Sequence, residues 1–171
     1  LSPWKPSDFN IKIMLLRRNP EVVLKAFYDT DNICLRPVSD MFKRLLARIQ
    51  EDMQKHCATA SKINHLKIGQ IVGCKFRADD LYYRAKILEM DDDRALVFFI
   101  DYGEMDSVDK KELKFLSADL KKFPGLCLKC GLRNCIKNPN SQAVNTLLMS
   151  LLSKEVEMKV SFAELLQDGV D

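Results

Sequence analysis

Gly73-Cys74-Lys75-Phe76, Asp80-Leu81-Tyr82-Tyr83-Arg84-Ala85 and Phe98-Phe99-Ile100-Asp101-Tyr102-Gly103 follow one another within residues 69–108. Residues 70–77, 82–90 and 94–101 read as strands, separated by turns at Asp79-Asp80 and Asp91-Asp92-Asp93. Residues 105–108 and 113–116 supply short final pieces, and Gly103 permits a sharp bend. Strands at this spacing predict a small antiparallel barrel. Aromatic residues gather where the strands end, so the barrel has an aromatic mouth. A mouth of that kind attracts a cation and contains no group that performs chemistry.

Outward from the barrel, residues 11–16 form an apolar run that Arg17-Arg18-Asn19-Pro20 breaks. Residues 22–28 and 33–38 give two further strands around the turn-like Asp29-Thr30-Asp31-Asn32. Ser39 reads as a helix N-cap, with Asp40 placed to favour the helix dipole. Phe42, Leu45, Leu46, Ile49 and Met53 then define one face of a helix that runs to about Lys55. Its opposite face, with Lys43, Arg44, Arg48, Glu51 and Asp52, reads as solvated, and residues 57–65 read as a linker. After Phe123-Pro124-Gly125, residues 126–132 are a strand. Asn140 or Ser141 caps a second helix with Val144, Leu147, Leu148, Leu151 and Leu152 inward. Val156, Met158, Val160 and Phe162 alternate, so residues 155–162 are a strand with one wet face. The class is mainly β with two helices. The simplest packing pairs the N-terminal strands with the C-terminal ones and inserts the barrel between them. The parts are then residues 8–38 (N-terminal strands), 39–57 (connecting helix), 68–124 (barrel) and 125–171 (C-terminal strands and helix).

Composition excludes more than it selects. The 171 residues are 47% hydrophobic and 30% charged, which suits a globular chain with a sizeable core. A net charge of +3, with both signs interspersed, is far from that of a dedicated nucleic-acid binder. No apolar run approaches a membrane span, and Leu1-Ser2-Pro3-Trp4-Lys5-Pro6 does not read as a signal peptide. Of Cys34, Cys57, Cys74, Cys127, Cys130 and Cys135, four are scattered among apolar or helical neighbours, which suits the reduced, buried thiols of a cytosolic protein. Cys127-x-x-Cys130 with Cys135 invites a zinc reading, but no fourth ligand stands at motif spacing. In a strand, Cys127 and Cys130 also face opposite ways. Nor do carboxylates and basic groups converge as phosphodiester cleavage would need. No catalytic residue, metal or cofactor is expected.

Gly73-Cys74-Lys75-Phe76, Tyr82-Tyr83-Arg84-Ala85 and Phe99-Ile100-Asp101-Tyr102-Gly103-Glu104, with Phe123-Pro124 and Cys130-Gly131-Leu132 downstream, resemble a Tudor domain of the extended type. That type occurs in Tudor-domain-containing and Tudor–staphylococcal-nuclease proteins. The resemblance implies a Tudor barrel inserted in a staphylococcal-nuclease-like composite domain of oligonucleotide-binding type. It also implies a non-catalytic scaffold module binding methylated arginine, often symmetric dimethylarginine, in Arg-Gly or Arg-Ala peptides. In germ cells such peptides lie on Piwi-type Argonaute proteins, which implies a piRNA-pathway partner and a cytoplasmic or germ-granule setting.

Carried over by residue, the family's aromatic cage falls on Phe76, Tyr83, Phe99 and Tyr102. The residues alone leave a second reading open, in which these aromatics are core. Phe98, Leu96 and Ile100 are better core candidates. Arg84 and Asp101, on neighbouring strands, suit a structural pair bracing the pocket, and Asp79 and Asp80 are either an acidic rim or plain turn residues. Glu104 stands where the family has Asn. A carboxylate only accepts, so it takes the remaining N–H of a dimethylated guanidinium and also favours an unmethylated one. The alternative function is a structural interaction module with a degenerate cage that meets its partner through another surface. RNA binding by the oligonucleotide-binding-like half has weaker support, because no basic stripe with interleaved aromatics is present.

Overall fold

A computed structural model describes residues 20–29, 32–132 and 141–160. The expected strand at 11–16, the Asn140 cap, Cys135 and Phe162 lie outside the described residues. The order of elements is β1 (Glu21–Asp29), β2 (Asn32–Pro37), α1 (Asp40–Thr59), β3 (Ile71–Lys75), β4 (Tyr82–Met90), β5 (Arg94–Phe99), β6 (Met105–Asp109), α2 (Ala118–Lys121), β7 (Leu128–Cys130), α3 (Ser141–Lys154) and β8 (Glu157–Lys159).

The strands form two antiparallel sheets, ordered β7-β2-β1-β8 and β3-β4-β5-β6. The first is composite, the arrangement expected as the simplest packing: β1 pairs with C-terminal β8, and β2 with β7. Its inner face, with Val22, Leu24, Ile33 and Leu35, packs against Leu148 of α3. Leu147, expected inward, is 59% exposed, because it stands at the margin of the stripe set by Val144, Leu148, Leu151 and Leu152. β7 is shorter than the expected strand; Leu126 and Cys127 precede it and are buried beneath other segments.

The second sheet encloses Val72, Cys74, Ala85, Ile87, Val97, Phe99 and Leu113. A register shift between Ile87 and Glu89 bends β4. The expected small antiparallel barrel is formed by a curled four-stranded sheet that does not close. Lys114 joins its edge through two hydrogen bonds to Gly73, at 2.9 and 2.8 Å. Residues 113–116 form no strand, because Leu113 enters the sheet's interior while Leu116 enters the core beneath α1.

α1 is longer than expected. Cys57, four residues beyond Met53, continues the buried stripe, so helix replaces the first part of the linker. Ser39 makes no side-chain cap bond; its carbonyl accepts from Lys43 N–H at 3.0 Å. Phe42, Leu45, Ile49, Met53 and Cys57 pack on Leu116, Leu120 and Leu126. The short α2, absent from the sequence reading, supplies Leu120. Between the two sheets, Ala26, Cys34, Phe98, Ile100 and Cys127 form a joint.

Candidate functional site

β5 carries two adjacent phenylalanines that face opposite ways. Phe98 enters the joint between the sheets, and Phe99 enters the core of the second sheet, 2% exposed. After Phe99 the chain turns, with Tyr102 N–H and Gly103 N–H both donating to the Phe99 carbonyl, at 3.1 and 2.8 Å. Gly103 has φ +89°, and a Cβ there would lie 2.6 Å from Cys34 Cβ and 2.8 Å from Cys127 Sγ. This turn brings Tyr102 back over β4. Its ring lies 4.9 Å from that of Tyr83, at 83°.

The other rings join on the same side. Phe76 is 5.3 Å from Phe99 and 6.1 Å from Tyr83, and Tyr83 is 6.1 Å from Phe99, all near perpendicular. The structure therefore brings Phe76, Tyr83, Phe99 and Tyr102 together. Phe99 is the floor, while Phe76, Tyr83 and Tyr102 are half-buried around it. Edge-to-face pairs at these distances also stabilise one another. Glu104 follows the turn and is exposed, and its backbone carbonyl accepts from Phe99 N–H at 2.8 Å.

Tyr83 is fixed at its far end: its hydroxyl donates to Asp79 at 2.5 Å. Burial, then this bond and the nearby Tyr102, push its pKa well above the ordinary phenol value. It is a neutral ring at physiological pH. Asp79 also accepts from Leu81 N–H, at 3.0 Å, and Asp80 pairs with Lys75 at 2.8 Å. Both acids thus serve the turn between β3 and β4.

Behind the cluster, Arg84 and Asp101 are buried, 1% and 3% exposed. Arg84 donates from Nε and Nη2 to the two carboxylate oxygens, at 2.9 and 2.5 Å. Its other donors reach the carbonyls of Leu120 (3.0 Å), Phe123 (2.7 Å) and Pro124 (3.0 Å). Asp101 also accepts from Leu126 N–H at 3.1 Å. The guanidinium's donors are all used. No ligand is needed to satisfy this pair, and it ties β4 and the β5 turn to the segment leading into β7.

Three residues that sequence reasoning missed also reach the site. Tyr28 of β1 donates its hydroxyl to the Gly103 carbonyl at 2.9 Å. Burial pushes its pKa up to about 12. Gln54 of α1 accepts from Tyr82 N–H at 3.0 Å and donates to its carbonyl at 2.7 Å, anchoring the residue beside Tyr83. Arg36 of β2 holds its guanidinium carbon 5.4 Å from the Tyr102 ring centroid. Each acts from at least 28 positions away, so no local spacing signals it. Among the described residues no group of three or more His, Cys, Asp or Glu could hold a metal ion, and no helix is long and apolar enough to cross a membrane.

Residues 14–134, more than half the chain, match the Tudor domain family. The chain belongs to that family. Tudor domain-containing protein 7 of Xenopus laevis is 24% identical over 116 residues, 67% of this chain and 11% of that protein. The chain spans about a tenth of the length of the curated relatives it matches. Among solved structures, the extended Tudor domain of human TDRD1, in complex with a symmetrically dimethylated peptide, superposes with a TM-score of 0.71 at 22% identity. The alignment covers 86% of this chain and 74% of that one. The complex of Tudor with Aubergine carrying a symmetrically dimethylated arginine superposes with a TM-score of 0.68 at 18% identity, covering 78% and 79%. The two sheets and helices of this Tudor domain are thus an extended Tudor fold.

Proposed function

We propose that this Tudor domain is a non-catalytic binding module that takes an arginine side chain of an arginine-rich peptide. Phe76, Tyr83, Phe99 and Tyr102 are its binding residues, and Glu104 is the polar group at its edge. The carrying observation is the cluster itself: three half-open rings stand around a buried fourth, beside an exposed carboxylate. A guanidinium over such faces gains about 0.5–2 kcal/mol, and methylation adds apolar surface while keeping the charge. Glu104 accepts from either a methylated or an unmethylated guanidinium, so symmetric dimethylation strengthens binding without being obligatory. The peptides held by the similar TDRD1 and Tudor structures support this ligand class. By the same likeness the partner is the tail of a Piwi-type Argonaute in the piRNA pathway, and the setting is cytoplasmic, at germ granules.

A second reading rests on the rings packing edge to face against one another. In it the cluster is a degenerate cage, and a partner protein docks elsewhere, whatever the methylation state. Calorimetric titration with one Arg-Gly peptide, unmethylated and symmetrically dimethylated, separates the two. The first reading expects both forms to bind, the methylated one more tightly, and Tyr83→Leu to weaken binding at least tenfold with the fold intact by circular dichroism. Absence of binding by both forms favours the second.

A further inference from the structure

The aromatic cluster already has a cation beside it. Arg36 lies on β2, in the other sheet, paired with Val23 of β1. Its guanidinium carbon is 5.4 Å from the Tyr102 centroid, within the range over which an aromatic face attracts a guanidinium. Its Nη1 is buried and has no hydrogen-bond partner. Arg84 shows the contrast, since its guanidinium donates to Asp101 and three carbonyls. Arg36 leaves a buried donor unused, which costs free energy, and its guanidinium is held against a ring instead. The charge is felt there: it opposes the upward push of burial on the Tyr102 phenol.

We infer that Arg36 is an intramolecular occupant of the aromatic site and that a peptide cation reaches Tyr102 by displacing it. The inference rests on the peptide-binding reading above. Two features favour displacement over a fixed structural role. Leaving the ring returns the buried Nη1 to water or to a new acceptor. Glu155, an exposed carboxylate that pairs with Lys25 and also feels the Arg36 charge, is an acceptor that Arg36 would share with Lys25.

An internal competitor lowers the apparent affinity of every ligand cation by one common factor, set by the fraction of molecules in which the ring is free. Arg36 therefore sets the strength of binding and leaves the preference between methylated and unmethylated arginine to the rings and Glu104.

The test is a calorimetric titration of the chain and its Arg36→Met variant with the same Arg-Gly peptide in both forms. Methionine keeps an apolar stem and removes the charge. Both affinities are expected to rise, by the same factor of roughly threefold to tenfold. A fall overturns the inference, because Arg36 would then support the ligand. No change, or unequal factors for the two forms, also overturns it. If neither chain binds either peptide, the peptide-binding reading fails and displacement fails with it. Proton NMR of the free chain tests the resident contact separately. Upfield-shifted Arg36 δ protons that relax in Tyr102→Leu support it, and unshifted ones overturn it.

Discussion

Gly103 is held by two independent constraints, a positive φ and a wall of sulfur and carbon. Alanine there would strain the backbone and press on Cys34 and Cys127. Gly69 also has a positive φ, +83°, but its nearest neighbour is a lysine carbon 4.0 Å away. Gly69→Ala is therefore expected to cost about 1 kcal/mol, and Gly103→Ala roughly 2–4 kcal/mol, read as shifts in the urea midpoint. Equal costs would mean that the close approach at Gly103 is not rigid. Tyr83 allows a similar separation of roles. Tyr83→Phe loses the bond to Asp79 but keeps the ring, so peptide affinity is expected to fall less than threefold, well short of the loss with Tyr83→Leu. The two thiols beside Gly103 also act on each other: their interaction holds the Cys34 pKa below the ordinary thiol value and pushes that of Cys127 up.

At the scale of elements, α1 and the Arg84–Asp101 pair hold β4 from two sides. Gln54 meets both backbone groups of Tyr82, so Gln54→Ala is expected to cost about 1–2 kcal/mol in a urea titration. Arg84→Met strips a buried carboxylate of its partner and is expected to cost about 3–5 kcal/mol. A loss under about 1 kcal/mol would mean that water replaces the guanidinium. The apolar stripe of α1 was legible in sequence because 3.6-residue spacing repeats over several turns. Its last turn was not, since Gln54, Lys55 and His56 read as polar and only Cys57 marks the buried face. β4 and β5 were legible as neighbours through the turn at Asp91-Asp92-Asp93. The carbonyls of Leu120, Phe123 and Pro124 that complete Arg84 were not, because any backbone carbonyl looks alike in sequence.

At the level of the whole molecule, the gathering of the four rings was legible only through the resemblance carried by the Tyr-Arg-Ala and Ile-Asp-Tyr-Gly segments. Strand alternation alone would have separated Phe99 from Tyr102. The curl that leaves the second sheet joined by Lys114, and the reach of Tyr28 and Arg36 across the joint, depend on how two sheets meet. The buried thiols give the whole fold a pH signature. Burial raises the pKa of Cys57 from 9.0 to about 11 and that of Cys74 from 9.0 to about 12. The unfolded chain therefore loses these protons first. Their stabilisation is full below pH 9 and is lost as pH rises through 11 and towards 12. The urea midpoint is expected to fall across that window, and Cys74→Ala to flatten the slope even if it lowers the starting value. An unchanged slope would assign the effect to other groups.

Binding of an arginine side chain at the four-ring cluster is open to direct test. The most direct measurement is an NMR titration of the labelled chain with a symmetrically dimethylated Arg-Gly peptide. The largest shift changes are expected on Phe76, Tyr83, Phe99, Tyr102 and Glu104, with Arg36 and Tyr28 next. Changes centred on the α1–α2 surface around Arg48, Asp52 and Lys122, with the four rings unmoved, would contradict it.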